Sequence, residues 1–182
     1  ISDCLVGSEM CIRDRGYGNE EKIYDESHWT DPSQNIGAYN KSKAIAEKEM
    51  WSYLNSLSDD EKIEAVAINP TLVVGPSLSD DVGTSNVFIQ RMLDGSYPVV
   101  PKVHFGWVTV KDTARAHVEA MIHPDANGKR FILAEKCMWL SDMNKLLRKH
   151  GYKKAPSIEA PNFLFKVVGL FCKEAGGISG FV

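Results

Sequence analysis

Apolar and polar positions along the 182-residue chain switch between a helical and a strand period. From Tyr39 to Asn55 the spacing is helical, with Ala44, Ile45, Lys48 and Trp51 toward the inward side. Ile63 to Ile68 alternates and then runs apolar, which suits a buried parallel strand, and Asn69-Pro70 ends it. Pro76 to Gly83 reads as loop. Thr84 or Ser85 can cap a helix through Leu93, and Asp94-Gly95-Ser96 turns. Phe105 to Val110 predicts a second strand. Asp112 then caps a helix through Ile122 that sets Ala114, His117 and Met121 along one face. Asn127-Gly128 turns into a strand from Lys129 to Ala134. Ser141 caps a helix to His150, and Pro161 opens a final helix. Gly16 to Ala38, ahead of these elements, is one long polar loop. Strands alternating with helices predict an α/β fold with a parallel sheet.

Composition changes this picture little. Apolar residues make up 43% and charged residues 25%, and the formal charge is −3, as in an ordinary globular domain with a real core. No nucleic-acid surface is expected. The basic cluster Lys145, Arg148, Lys149, Lys153 and Lys154 reads as a solvated helix end. The longest apolar stretch, Phe163 to Cys172, is broken by Lys166 and too short to span a membrane. Cys137 and Cys172 lie far apart and suggest neither a metal site nor a disulfide framework, so a reduced cytosolic setting fits. His104, His123 and His150 show no metal-ligand spacing, and His117 reads as a packed helix-face histidine. Asp80 and Asp81 read as a solvated pair. Phe105, Trp107 and Trp139 could line a pocket, although core packing suits most of them better. The Gly176-Gly177-Ile178-Ser179-Gly180 run follows a helix-like segment rather than a strand and lacks phosphate-cradling spacing.

The sharpest chemistry lies in Tyr39-Asn40-Lys41-Ser42-Lys43. A spacing of four puts Tyr39 and Lys43 on one helical face. An ammonium beside a phenol favours the ionised form, so the phenol can exchange a proton near neutral pH. Alone, the pair is common in helices.

Its surroundings are more specific. Tyr24-Asp25-Glu26-Ser27-His28-Trp29 precedes the pair and Ala46-Glu47-Lys48 follows it. Ala67-Ile68-Asn69-Pro70-Thr71-Leu72-Val73-Val74-Gly75-Pro76 comes next. Gly106-Trp107-Val108-Thr109-Val110-Lys111-Asp112-Thr113-Ala114-Arg115-Ala116-His117 comes last. In this order the stretch from about Gly16 onward resembles the extended short-chain dehydrogenase/reductases. It is most similar to the dihydroflavonol-4-reductase-like group of the NAD-dependent epimerase/dehydratase family. The resemblance implies the second half of a Rossmann-type parallel sheet plus a small C-terminal substrate-binding part. It implies NADP as cofactor, with NAD as the alternative, and a small-molecule carbonyl substrate. Tyr39 would protonate the carbonyl oxygen. Lys43 would assist Tyr39 and bind the nicotinamide ribose. Backbone groups of Pro70, Thr71, Leu72 and Val73 would meet the nicotinamide carboxamide, and Thr84 and Ser85 would lie near the cofactor. A sugar-nucleotide epimerase or dehydratase, a 3β-hydroxysteroid-type oxidoreductase and a non-catalytic scaffold are the competing expectations.

Cys4-Leu5-Val6-Gly7-Ser8-Glu9-Met10-Cys11-Ile12-Arg13-Asp14-Arg15 resembles the translation of a transposase sequencing adaptor. Residues 1–15 are therefore expected to be non-native. Residues 16–182 are expected to be the C-terminal portion of a reductase truncated at both ends. The family's catalytic serine slot precedes Gly16-Tyr17-Gly18 and so falls within the adaptor, and Ser8 is not assigned the role. The family's Gly-x-x-Gly-x-x-Gly loop is missing, and the chain as it stands is expected to be inactive.

Overall fold

Twelve elements follow one another in the computed structural model, which describes residues 5–6, 25–34, 36–78, 80 and 83–161. The first six are β1 (Leu5–Val6), α1 (Ala38–Ser56), β2 (Ala67–Pro70), β3 (Leu72–Val74), α2 (Gly83–Asp94) and β4 (Val99–Pro101). Then come β5 (His104–Thr109), α3 (Val110–Ile122), β6 (Arg130–Leu133), β7 (Lys136–Trp139), α4 (Leu140–Lys149) and β8 (Ile158–Ala160). Three small sheets result. The first runs β1-β2-β6 and is parallel throughout. The second runs β3-β5-β7, parallel between β3 and β5 and antiparallel between β5 and β7. The third pairs β4 with β8 in parallel. This is the α/β fold with parallel sheets that the strand–helix alternation predicts.

Two chain segments pass from the first sheet to the second with hardly a break. Only Thr71 separates β2 from β3, and only Ala134 and Glu135 separate β6 from β7. Thr71 secures the first junction: its backbone N–H and its hydroxyl both donate to the Leu133 carbonyl, at 2.9 Å each. The strand ends at Pro70, as expected, with Asn69 and Pro70 forming its last two residues. Pro70 sits at the last position of β2, opposite Leu133, where its missing N–H costs little. The strand begins later than Ile63. Ala65 and Val66 are buried, but the Asn127-Gly128 turn holds this stretch. Asn127 Oδ1 accepts from the Ala65 N–H, and the Gly128 N–H donates to the Ala65 carbonyl.

Helix starts differ from expectation by local chemistry. Thr109, not Asp112, caps α3. Its hydroxyl accepts from the Asp112 N–H at 3.1 Å and donates to the Asp112 carboxylate at 2.6 Å. Thr109 is thus an ordinary threonine N-cap whose hydroxyl is oriented by the Asp112 carboxylate. Ser141 lies inside α4, whose N-cap is Trp139 with no side-chain cap bond. Gly83 opens α2, so Thr84 and Ser85 sit within its first turn rather than at its cap. The inward side of α3 is Thr113, Ala116, His117 and Ala120, whereas Ala114 and Met121 are exposed. His117 Nδ1 is 2.7 Å from the Thr113 carbonyl, a helix-face histidine as expected. The final helix expected after Pro161 lies outside the described residues.

One core joins Met92, Val100, Val103, Phe105, Trp107 and Leu140, with Phe88, Tyr97 and Met138 packed against it. A second joins Val66, Ile68 and Ala126 under the first sheet. Phe105 and Trp107 are thus core residues. Gly75, just past the end of β3, is a tight point against the start of α3. Its φ is +144°, and an added Cβ would lie 2.6 Å from Val110 Cγ1. The Asn86 amide brackets it, donating to the Gly75 carbonyl at 2.8 Å and accepting from the Gly75 N–H at 3.3 Å. Valine is stiff at χ1 and cannot swing away. Gly75→Ala is expected to destabilise the fold by about 1–3 kcal/mol, read from urea unfolding. A stability equal to that of the unsubstituted protein would show that Val110 yields freely.

Candidate active site

Helix α1 starts where Gly37, at φ +79°, turns the chain inward. Ile36 is buried beneath the turn, and the Asn40 side chain donates to its carbonyl at 2.8 Å. Tyr39 follows in the first turn and is 57% exposed. The Lys43 ammonium lies over the tyrosine ring, 5.6 Å from its centroid. The four-residue spacing therefore brings the two side chains together as predicted. Because α1 connects the parallel strands β1 and β2, it runs back against them. In its third turn Glu47 meets Asn69 near the carboxyl end of β2, the edge where open α/β folds bind ligands.

Pro70, Thr71, Leu72 and Val73 form the β2–β3 junction at that edge. Pro70 and Thr71 are buried, and Leu72 and Val73 are half-buried. Ser85 is half-buried in the first turn of α2. Thr84 occupies the same turn, and its side chain lies outside the described residues, as do Ser8 and Gly16-Tyr17-Gly18.

One further turn of α1 carries a residue that sequence reasoning did not single out as functional. Glu47 continues the stripe of Tyr39 and Lys43 and is 5% exposed. Arg130, at the start of β6, grips its carboxylate with both arms: Nε to Oε1 at 2.6 Å and Nη2 to Oε2 at 2.9 Å. The Trp51 indole N–H donates to Oε1 at 3.3 Å. The Asn69 amide donates to both oxygens at 3.3 and 3.4 Å. The third guanidinium nitrogen, Nη1, donates to the carbonyls of Glu26 at 2.7 Å and His28 at 3.0 Å. The guanidinium carbon, Cζ, lies over the Trp29 ring, 3.8 Å from its centroid. The Glu26 carboxylate in turn accepts from the Ile132 N–H in β6 at 3.1 Å. The inward side of α1 is thus Ala44 and Glu47, while Ile45 and Lys48 face outward. Glu47 is i+8 from Tyr39, a spacing visible in sequence, but only Arg130, 83 residues on, makes its burial tenable.

The electrostatics follow from these contacts. Burial alone pushes the Glu47 carboxyl up. The Arg130 hydrogen bonds and charge, with the Trp51 and Asn69 donors, outweigh it and hold the carboxyl below its ordinary value of 4.5. No helix among the described residues is long and apolar enough to cross a membrane.

A parallel α/β sheet whose crossover helix opens on a Tyr-x-x-x-Lys pair is the architecture of the extended short-chain dehydrogenase/reductases. The chain belongs to the NAD dependent epimerase/dehydratase family, whose model matches residues 14–134. Cinnamoyl-CoA reductase CAD2 of Medicago truncatula is 33% identical over 143 residues, covering 76% of this chain and 40% of the relative. The NADPH-dependent methylglyoxal reductase GRE2 of Saccharomyces cerevisiae is 27% identical over 158 residues, covering 80% and 46%. The crystal structure of yeast methylglyoxal/isovaleraldehyde reductase Gre2 complexed with NADPH superimposes with a TM-score of 0.67 at 24% identity. It covers 85% of this chain and 50% of that one. The chain therefore spans about half the length of these relatives or less.

Removing Arg130 would leave Glu47 buried without a counter-charge. Arg130→Ala is expected to cost about 3–5 kcal/mol at pH 7, read from urea unfolding. Because the folded Glu47 value is depressed, its contribution is complete above its ordinary value of 4.5. That contribution is lost as pH falls through the folded value. The penalty of Arg130→Ala should therefore shrink on acidification, and a penalty independent of pH would mean that Glu47 is not its source.

Proposed function

We propose that residues 16–182 form the second half of an NADP-dependent reductase that converts an aldehyde or ketone to an alcohol. The observation that carries this is the Tyr39/Lys43 pair, with the Lys43 ammonium 5.6 Å from the tyrosine ring centroid. The similarity to the cinnamoyl-CoA and methylglyoxal reductases supports it. The residues present fit such a cofactor. An exposed phenol with a cation beside it can face a reacting carbonyl.

NADPH, when bound, supplies the hydride. Tyr39 donates its phenolic proton to the carbonyl oxygen as negative charge develops there. Lys43 stabilises the phenolate left behind and binds the ribose hydroxyls. The backbone of Pro70, Thr71, Leu72 and Val73 positions the nicotinamide carboxamide, and Thr84 and Ser85 flank the cofactor. NAD is the alternative cofactor. In this proposal residues 1–15 are adaptor-derived, and a separate first half supplies the pyrophosphate loop and the catalytic serine.

A sugar-nucleotide epimerase or dehydratase is the second reading, favoured by the description of the matching family itself. The reductase joined to its first half, offered methylglyoxal, other aldehydes and UDP-sugars, distinguishes the two. Turnover of UDP-sugars without carbonyl reduction would overturn the reductase proposal.

Three outcomes are expected. The 182-residue chain alone should not bind NADPH measurably, because the pyrophosphate loop supplies much of the affinity. Saturable binding by calorimetry at micromolar cofactor would contradict this. In the joined protein, Tyr39→Phe should remove most of kcat while sparing cofactor binding, since the phenol acts in the transition state. A near-normal kcat would remove Tyr39 from the mechanism. Lys43→Met should weaken cofactor binding by about 1.5–3 kcal/mol, the worth of a charge-assisted hydrogen bond. An unchanged Kd would leave Lys43 no ribose contact.

A further inference from the structure

We propose that the Glu47–Arg130 pair is a positioning device for Tyr39. It fixes the rotation of α1 and ties the segment that leads into it. The inference rests on the reductase proposal for the role of Tyr39, and otherwise on geometry alone.

Tyr39, Lys43 and Glu47 share one stripe of α1, at intervals of four residues. Glu47 lies about 12 Å along the axis from Tyr39. A small rotation of the helix about its axis would carry Tyr39 sideways by a comparable angle. Apolar packing does little to prevent such a rotation. Ala44 is the one apolar α1 residue that is fully buried, and Ile45 is 40% exposed. What fixes the phase is directional: a bidentate guanidinium–carboxylate pair with side-chain accessibilities of 8% and 3%. The same guanidinium holds the Glu26 and His28 carbonyls. Only nine residues separate His28 from Ala38, where the helix begins, so the entry to α1 is fixed at two places. Arg130 touches no reacting atom; it acts through Tyr39. A lysine at 130 keeps the charge but loses the fork and the stacking on Trp29.

Two variants separate positioning from bulk stability. Arg130→Lys keeps the charge. Glu47→Leu/Arg130→Met replaces the pair with apolar groups of similar size, a change often neutral or stabilising for a buried ion pair. Far-UV circular dichroism confirms that each folds. In the 182-residue chain labelled with 3-fluorotyrosine, the Tyr39 resonance is assigned by its loss in Tyr39→Phe. It should shift or broaden in both variants while that of Tyr97, in the other core, stays in place. In the joined reductase, kcat with methylglyoxal should fall roughly 10- to 100-fold, as expected for a displaced catalytic group. KM for NADPH should rise as well, because the rotation that displaces Tyr39 also displaces Lys43 on the same stripe. An unmoved Tyr39 resonance in both variants overturns the proposal. So does a moved resonance with kcat unchanged per folded molecule. If the unsubstituted reductase reduces no carbonyl, the functional proposal falls and the fluorine signal alone decides whether the pair positions Tyr39.

Discussion

The guanidinium of Arg130 is the point on which the helix, the sheet edge and the entering loop all depend. It presents a rigid planar fork, and nearly every donor is used within one small volume. Two arms meet the Glu47 carboxylate, a third meets the Glu26 and His28 carbonyls, and the face covers Trp29. Those partners lie 83 to 104 residues away in sequence. Taking two charges out of water is costly, and their attraction offsets the cost only when the remaining lone pairs are also satisfied. Trp51 and Asn69 complete that set. The arrangement is therefore cooperative. Losing either charge leaves the other buried without its partner.

The sheets add a second constraint. The β2 and β6 chains each cross from one sheet to the next with at most two residues between strands. The register of the first sheet is thereby transmitted to the second. Thr71 locks the crossing to Leu133, and Gly75 admits Val110 at a distance that no side chain would allow. Asn69 belongs both to this junction and to the Glu47 set. The edge where Pro70–Val73 lies is thus coupled, through one amide, to the helix that carries Tyr39.

The sequence made some of this legible and concealed the rest for physical reasons. Helices α1 to α4 and strand β5 were readable from their periodic or apolar patterns, and β6, although only four residues long, from the Asn127-Gly128 turn that precedes it. Strands β3, β4, β7 and β8 were not, being three or four residues long. They exist because distant partners pair with them, as Val99–Pro101 does with Ile158–Ala160. The Tyr39/Lys43 pair was visible because a helical spacing is local. The inward side of α1 was misassigned because a carboxylate counts as polar in any periodicity, so Ile45 was turned inward in place of Glu47. Only a contact across 83 residues reverses that assignment. The cap of α3 was placed three residues late: Thr109 and Asp112 are both capping residue types, and pattern alone does not say which stands outside the helix.

Along the shared stripe of α1, exposure falls in order. Tyr39 is 57% exposed, Lys43 is half-buried and Glu47 is 5% exposed. A group that must meet a substrate has to be accessible, and an accessible side chain on a weakly apolar helix draws little direction from burial. Burying more apolar residues near Tyr39 would fix it at the expense of access. Placing a directional, fully bonded charge pair two turns away fixes the helix phase without covering the phenol. Precision in such a site comes from supporting groups locked by their own hydrogen bonds. Here the reacting end and the rigid end of the helix are separated in space and joined by covalent geometry, so each can satisfy its own solvent requirement.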